Sequence, residues 1–230
     1  MGRPGIAVGL VIQARMGSTR LPGKILRPLA GRKLLDRILD RLTRLRHPAG
    51  IVIATSDSPQ DDMVLDYCRQ RPVDCFRGSE GDVLARYYEC AQARGFTQVV
   101  RLTGDNPFPD ITELDRLIEF HVAGDYDYSS SLAQLPVGVG AEIFTFSALQ
   151  RSFREGQAPQ HREHVDEYIL ENPALFRIGE LIVPENKRHP LVRLTVDTVE
   201  DFRRAQFIAE HAAAPGPTTV EAIRLCSLFA

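Results

Sequence analysis

The chain lacks an excess of positive charge, a paired-cysteine motif and any long apolar run, and each absence removes a class of protein. Lys plus Arg total 28 against 30 for Asp plus Glu in 230 residues. Without a global cationic field, a nucleic-acid partner has no electrostatic support. The four cysteines, Cys68, Cys75, Cys90 and Cys226, are widely spaced and form no C-x-x-C pair, which argues against a zinc site or a disulfide framework and suits a reducing compartment. No apolar stretch approaches a membrane span, and the start of the chain, with Arg3 and Pro4, has no extended hydrophobic region of the secretory kind. A cytoplasmic protein without membrane or nucleic-acid partners is therefore expected. Internal repeats and low-complexity linkers are also missing, and the length suits one sizeable core.

What is present is concentrated near the beginning. An apolar run from Val8 empties into the turn QARMGSTRLPGK, where Arg15, Arg20 and Lys24 accompany Gly17, Ser18, Thr19 and Gly23. Such a turn offers backbone N–H groups and hydroxyls to phosphate oxygens, with cations to offset their charge. It is not a Walker A loop. Five residues separate Gly17 from Gly23, and Ile25 stands where a magnesium-binding hydroxyl belongs. The string resembles the N-terminal signature ARxxSxRLPGK of the cytidylyltransferases that activate acidic sugars, and in the form IQARMGSTRLPGK it is most similar to their spore-coat polysaccharide protein F branch.

Further along, short β-rich runs alternate with helical patterns, the arrangement that makes parallel strands with crossover helices. Strands are predicted at Val8–Ile12, Ile51–Ala54, Val73–Phe76 and Gln98–Leu102. Helices are predicted from Leu34 to Leu45, from a Ser58 cap to Tyr67, and from Asp82 to Arg94, the last closed by Gly95. A second half begins near Asp125. It contains the glycine-rich Gly138–Gly140, a strand from Glu142 to Phe146, helical signals at Arg162–Leu170, an extended stretch Phe176–Val183, a strand Leu191–Val196, a helix capped by Thr198 and Asp201, and a helix from Thr218. The pattern is α/β. The resemblance implies a Rossmann-like nucleotide-diphospho-sugar transferase fold, with a central, mostly parallel mixed sheet flanked by helices. One domain, 1–230, is expected, with a nucleotide-binding half at about 6–124 and a sugar-binding and dimerisation half at about 125–230.

Two carboxylates, Asp105 and Asp197, each directly follow a predicted strand. Magnesium binds oxygen ligands and often needs only one or two carboxylates besides substrate phosphates. Taken alone, an Asp in that position equally serves as a turn former or, for Asp197, a helix cap. The resemblance adds the assignment: GDNP at Gly104–Pro107 and VDTVED at Val196–Asp201 match the family's magnesium-binding segments, implying Mg2+ on Asp105 and Asp197. Asn106 and Val199 depart from the family pattern without removing a ligand. RGSEGDVLARYYECA and HREHVDEYILENP extend the likeness over most of the chain.

The reaction so implied is transfer of CMP from CTP to an acidic sugar with release of pyrophosphate. Arg15, Lys24 and Asp105 are the catalytic candidates. Gln13, Ala14, Arg15, Gly17, Ser18, Arg20, Lys24, Ser79 and Arg86 are the nucleotide-binding set, although Arg86 on a helix equally suits pairing with an acidic neighbour. Glu142, Arg162 and His164 are placed on the sugar, where an arginine fork would meet a carboxylate; the cluster around Arg162 also reads as a solvated helix start. The order H-R-E-H at His161–His164 matches no zinc motif. A homodimer is implied by resemblance alone. A glycosyltransferase of similar architecture, with Asp125-Tyr126-Asp127 as its D-x-D, and a non-catalytic nucleotide-binding domain remain alternatives.

Overall fold

The computed structural model describes residues 7–229; the expectation resting on Arg3 and Pro4 lies outside them. Among the described residues nine strands form: β1 Val8–Gln13, β2 Pro28–Leu29, β3 Arg32–Lys33, β4 Ala49–Ser56, β5 Asp74–Gly78, β6 Gln98–Thr103, β7 Tyr128–Ser130, β8 Glu142–Thr145 and β9 Ile178–Glu180. Seven of them make one sheet in the order β5-β4-β1-β6-β8-β7-β9, while β2 and β3 pair separately. Within the sheet β1 pairs parallel with β4 and β6, β4 with β5, and β7 with β9; β8 runs antiparallel to both its neighbours. This is the mostly parallel mixed sheet the sequence predicts, and it runs through both expected halves.

Among the described residues nine α-helices cover it: α1 Leu34–Leu42, α2 Asp62–Gln70, α3 Val83–Arg94, α4 Ile111–Ala123, α5 Phe146–Glu155, α6 Pro159–Glu163, α7 Glu167–Glu171, α8 Val199–His211 and α9 Thr219–Leu228. Alternate residues of each central strand face opposite sides, as pleating requires. Leu10 and Ile12 of β1 join a core with α1, α4, α8 and α9, whereas Val11 joins a second core with α3, α5 and α7. Both faces are apolar. The continuous hydrophobic run in β1 follows from this double burial. Among the described residues no helix is long and apolar enough to cross a membrane.

The structure differs from the expectations at several elements. Ser58 makes no side-chain cap; a 3₁₀ turn, Pro59–Asp61, precedes α2 instead. The helical signals at Arg162–Leu170 divide into α6 and α7 because His164 adopts extended backbone, φ −111° and ψ 112°. In the predicted strand Leu191–Val196, bridging is confined to Arg193 against Val137. Its partner segment is the glycine turn, where Gly138 has φ 93°, so the ladder cannot propagate. Helix α4, which patterning did not suggest, carries the buried Glu113, Asp115 and His121 on its inward side.

Candidate active site

Strand β1 and strand β6 are parallel neighbours, so the turns leaving Gln13 and Thr103 open at the same edge of the sheet. Ligands gather outside the carboxyl ends of strands in open α/β sheets. Here a cleft of about 650 Å³ occupies that edge. Its lining includes Gln13, Ala14, Arg15, Gly17, Ser18, Arg20, Lys24, Asp105, Arg162, His164 and Asp197. The structure thus brings most of the predicted site residues together.

The basic turn is held from below by a residue that sequence reasoning missed. Asp61 is fully buried and accepts from Met16 N at 2.6 Å and from both the amide and hydroxyl of Ser56. Met16 O in turn accepts from Ser18 N and Gly23 N. Gly23 has φ 68°, a left-handed conformation suited to glycine. Fastened at Met16, the turn leaves the N–H groups of Arg15, Gly17, Thr19 and Arg20 without a protein partner among the described residues. These are donors available to an anion.

At the centre, Lys24 Nζ donates to Asp105 Oδ2 and Asp197 Oδ1, each at 3.0 Å, and to Val196 O at 2.7 Å. The two carboxylate oxygens therefore lie no further apart than twice that contact. Asp105 Oδ1 accepts from Thr103 Oγ1 at 2.7 Å. Asp197 also meets Arg20 at 3.3 Å and Arg193 through its other oxygen. Burial works against the Asp197 charge, but Lys24, Arg20 and Arg193 outweigh it and hold the carboxyl below its usual range. Backbone contacts bring these distant residues together: Val196 N donates to Asp105 O at 2.9 Å. A Cβ on Gly138 would stand 2.7 Å from Thr195 N and 2.8 Å from Asn106 Oδ1, so only glycine permits this close passage. Helix α8 is capped by Thr198 and Asp201, not by Asp197, whose carboxylate remains in the cleft.

Among the described residues no group of three or more His, Cys, Asp or Glu gathers to hold a metal. Two carboxylates around one cation nevertheless suit an ion that takes its remaining oxygens from phosphates and water. The donor set fits such an ion.

Three predicted residues do not line the cleft. Glu142 is fully buried, paired with Arg101 and accepting from Tyr128 Oη at 2.7 Å. This corrects its assignment to the sugar: β8 lies antiparallel to β6 with Glu142 opposite Arg101, and the carboxylate turns inward. Burial pushes the Glu142 carboxyl up, with Arg101 pulling against it. Arg101 itself lines the cleft. Ser79 accepts from Asp82 N at 3.1 Å, shaping the entry to α3, and does not line the cleft. Arg86 is fully buried behind α3's first turn and also contributes no lining. His161 is turned away to Glu171 at 2.7 Å. Asp125 pairs with Arg177 at 2.7 Å and Asp127 accepts from Arg177 N at 2.9 Å, so the D-x-D segment is occupied outside the cleft.

A turn of cations and of N–H groups without protein partners among the described residues, facing Asp105 and Asp197 at one edge of a mixed α/β sheet, is an arrangement suited to nucleotidyl transfer. The family model described as Cytidylyltransferase matches residues 10–223. The spore coat polysaccharide biosynthesis protein SpsF of Bacillus subtilis is 40% identical over 207 residues, covering 88% of this chain and 86% of that protein. A 3-deoxy-manno-octulosonate cytidylyltransferase of Chlamydia trachomatis is 25% identical over 210 residues, 89% of this chain and 74% of that one. The solved structure of a cytidylyltransferase from Leptospira borgpetersenii superposes with a TM-score of 0.90 at 31% identity, covering 97% of this chain and 95% of the other. The chain belongs to the cytidylyltransferase family, in the acidic-sugar group that its first turn resembles.

Proposed function

We propose that this enzyme transfers CMP from CTP to a hydroxyl of an acidic sugar, with magnesium, in the supply of a surface or spore-coat polysaccharide. The observation that carries the reading is the Lys24 ammonium between Asp105 and Asp197, directly beside a turn of unpartnered N–H groups. The sugar oxygen attacks the α-phosphorus, the bond to the bridging oxygen breaks, and pyrophosphate departs. Arg15, Arg20 and the turn's amides hold the triphosphate in line; such positioning and charge neutralisation supply most of the catalysis in chemistry of this kind. Asp105 and Asp197 would hold the divalent ion. When bound, it polarises the phosphate and lowers the pKa of the attacking hydroxyl. Arg162 and His164, both lining the cleft, are the groups for the sugar's acid. Two chains working together in the cytosol is what the family resemblance implies.

The experiment incubates the protein with CTP, magnesium and a panel of 3-deoxy-2-ulosonic and nonulosonic acids, and measures pyrophosphate. Sugar-dependent pyrophosphate from CTP is the expected result. Nucleoside-diphosphate release from a nucleotide sugar would instead identify a glycosyltransferase, and the absence of nucleotide turnover or binding would remove the reading.

A further inference from the structure

Buried polar groups without partners are rare in folded proteins. In this molecule several gather at the cleft. Among the described residues all three guanidinium nitrogens of Arg86 are buried without a hydrogen-bond partner, and so is Gln13 Oε1. Gln13 lines the cleft, as does Val83, one helical turn before Arg86 on α3; residues three apart share a helix face. Gln13 stands in register with Ala54, and Ala54 packs with Val83 and Leu84 of α3, so Gln13 belongs to the side of the sheet that α3 covers. A Cβ on Gly78 would lie 3.3 Å from Arg86 Cγ. The Arg86 stem therefore passes beneath the end of β5, where the loop into α3 begins. That loop is tied to the turn before α2 by Gln60 Nε2, which donates to Glu80 at 3.0 Å.

A buried cation with no hydrogen bond is costly, and a purely structural arginine would be expected to meet acceptors. Burial lowers the Arg86 pKa, and the nearby charge of Arg15 adds to that effect. The fork of donors has something to bind that the protein does not supply.

We infer that Arg86 and Gln13 read the edge of the nucleobase, Arg86 donating to two adjacent acceptors and Gln13 Oε1 accepting from an amino group. Cytosine presents that edge: O2 and N3 accept side by side and the 4-amino group donates. Uracil presents an N–H at position 3 and an oxygen at position 4, setting donor against donor and acceptor against acceptor. Unpaired polar groups in a site built for hydrogen bonds are a strong basis for rejection. Arg86 adds no surface to the cleft, so on this inference the loop before α3 moves and the Gln60–Glu80 contact parts when the base binds. The inference rests on the cytidylyl-transfer reading and names the residues that enforce its base.

The test is calorimetric binding of CTP and of UTP, each with magnesium, to the wild type and to Arg86→Met, with thermal unfolding of the unliganded proteins. Wild type should prefer CTP. In the variant, CTP affinity should fall about 10- to 100-fold, as expected for losing hydrogen bonds from a charged donor, while UTP affinity changes little. The unliganded unfolding midpoint should hold or rise, because an unpaired buried cation is gone. A variant that keeps the wild-type CTP-to-UTP ratio overturns the inference. Should Arg86→Met fail to fold, Arg86→Lys, which retains charge without the fork, decides by the same ratio: collapse supports the inference and preservation overturns it. A wild type with no preference for CTP refutes the cytidylyl reading itself, and with it the inference.

Discussion

Replacing Lys24 by methionine should tighten divalent-cation binding while suppressing turnover. Lys24 Nζ holds one oxygen of Asp105 and one of Asp197, both at 3.0 Å, and an ion between these aspartates must take or share those oxygens. A hydrogen bond to a charged group contributes roughly 1.5–3 kcal/mol. The aspartate side chains are 28% and 20% exposed, so solvent screening favours the low end. Relief of one such contact, about 1.5 kcal/mol, corresponds to about a tenfold gain in affinity. Arg20 and Arg193 still hold Asp197 and keep the gain from growing larger. Turnover should nevertheless fall on the order of 10²-fold or more, because a preorganised charge facing the phosphates is lost. Manganese titrated calorimetrically into both unliganded proteins gives the first number, and initial rates of pyrophosphate release give the second. A variant that binds the ion no more tightly than wild type shows that lysine and ion do not compete for these oxygens; unchanged turnover removes the charge role.

Two further predictions concern buried charge. Glu142→Gln leaves the Arg101 cation without its counter-charge and should cost about 3 kcal/mol in urea unfolding, whereas Arg101→Met with Glu142→Leu should recover most of that loss; a double variant as unstable as the single would show that the residues do not act as a pair. His121, hydrogen-bonded to Ser129 at 2.9 Å and Gln98 at 3.0 Å, is held neutral by burial, which lowers its pKa to about 4. The unfolded chain takes up a proton near pH 6.5 and the folded one near 4, so this contribution is complete above pH 6.5 and is lost as pH falls towards 4, roughly 3 kcal/mol in all. His121→Gln should flatten the stability profile over that interval, and a variant whose acid profile matches wild type would place the titration elsewhere.

The parts of the site that were legible in the sequence are those whose chemistry is contiguous. The turn from Gln13 to Lys24 is a single string, and its glycines, hydroxyls and cations suggest an anion site before any folding. Asp105 and Asp197 were legible as strand-end carboxylates, but their meeting depends on Val196 N reaching Asp105 O and on Gly138 passing close to Thr195. Asp61 was invisible because its partner Met16 is 45 residues away. Glu142, following a glycine turn, reads in the sequence as a carboxylate for the sugar, whereas the antiparallel register of β8 sets it against Arg101. Arg101 carries a signal in the sequence: a charged residue inside the apolar run Val99–Leu102 needs either a buried partner or a ligand, and here it has both a partner and a place in the cleft. Helix α4 escaped because Glu113, Asp115 and His121 occupy inward positions and blur the apolar stripe.

The same reasoning explains where satisfaction of polar groups stops. Glu113 and Asp110 both meet Lys187, Asp115 meets Arg46, and Asp61 saturates its carboxylate with three donors. These buried acids are structural and are fully engaged. By contrast, Gln13 Oε1, Arg101 Nε and Arg162 Nη1 are buried, lack hydrogen-bond partners among the described residues and belong to residues that line one cleft, with the Arg86 guanidinium behind it; Arg162 Nη1 has only an ion-pair contact with Asp82 at 3.4 Å. A fold able to satisfy charges this deep in its core has left donors without hydrogen bonds around the basic turn. Those donors share one sign of chemistry, since three of the four groups are guanidinium N–H and only Gln13 contributes an acceptor. An anionic ligand whose base also offers acceptors is the complement of that set, whereas a neutral or cationic ligand would leave the same groups buried and unpaired.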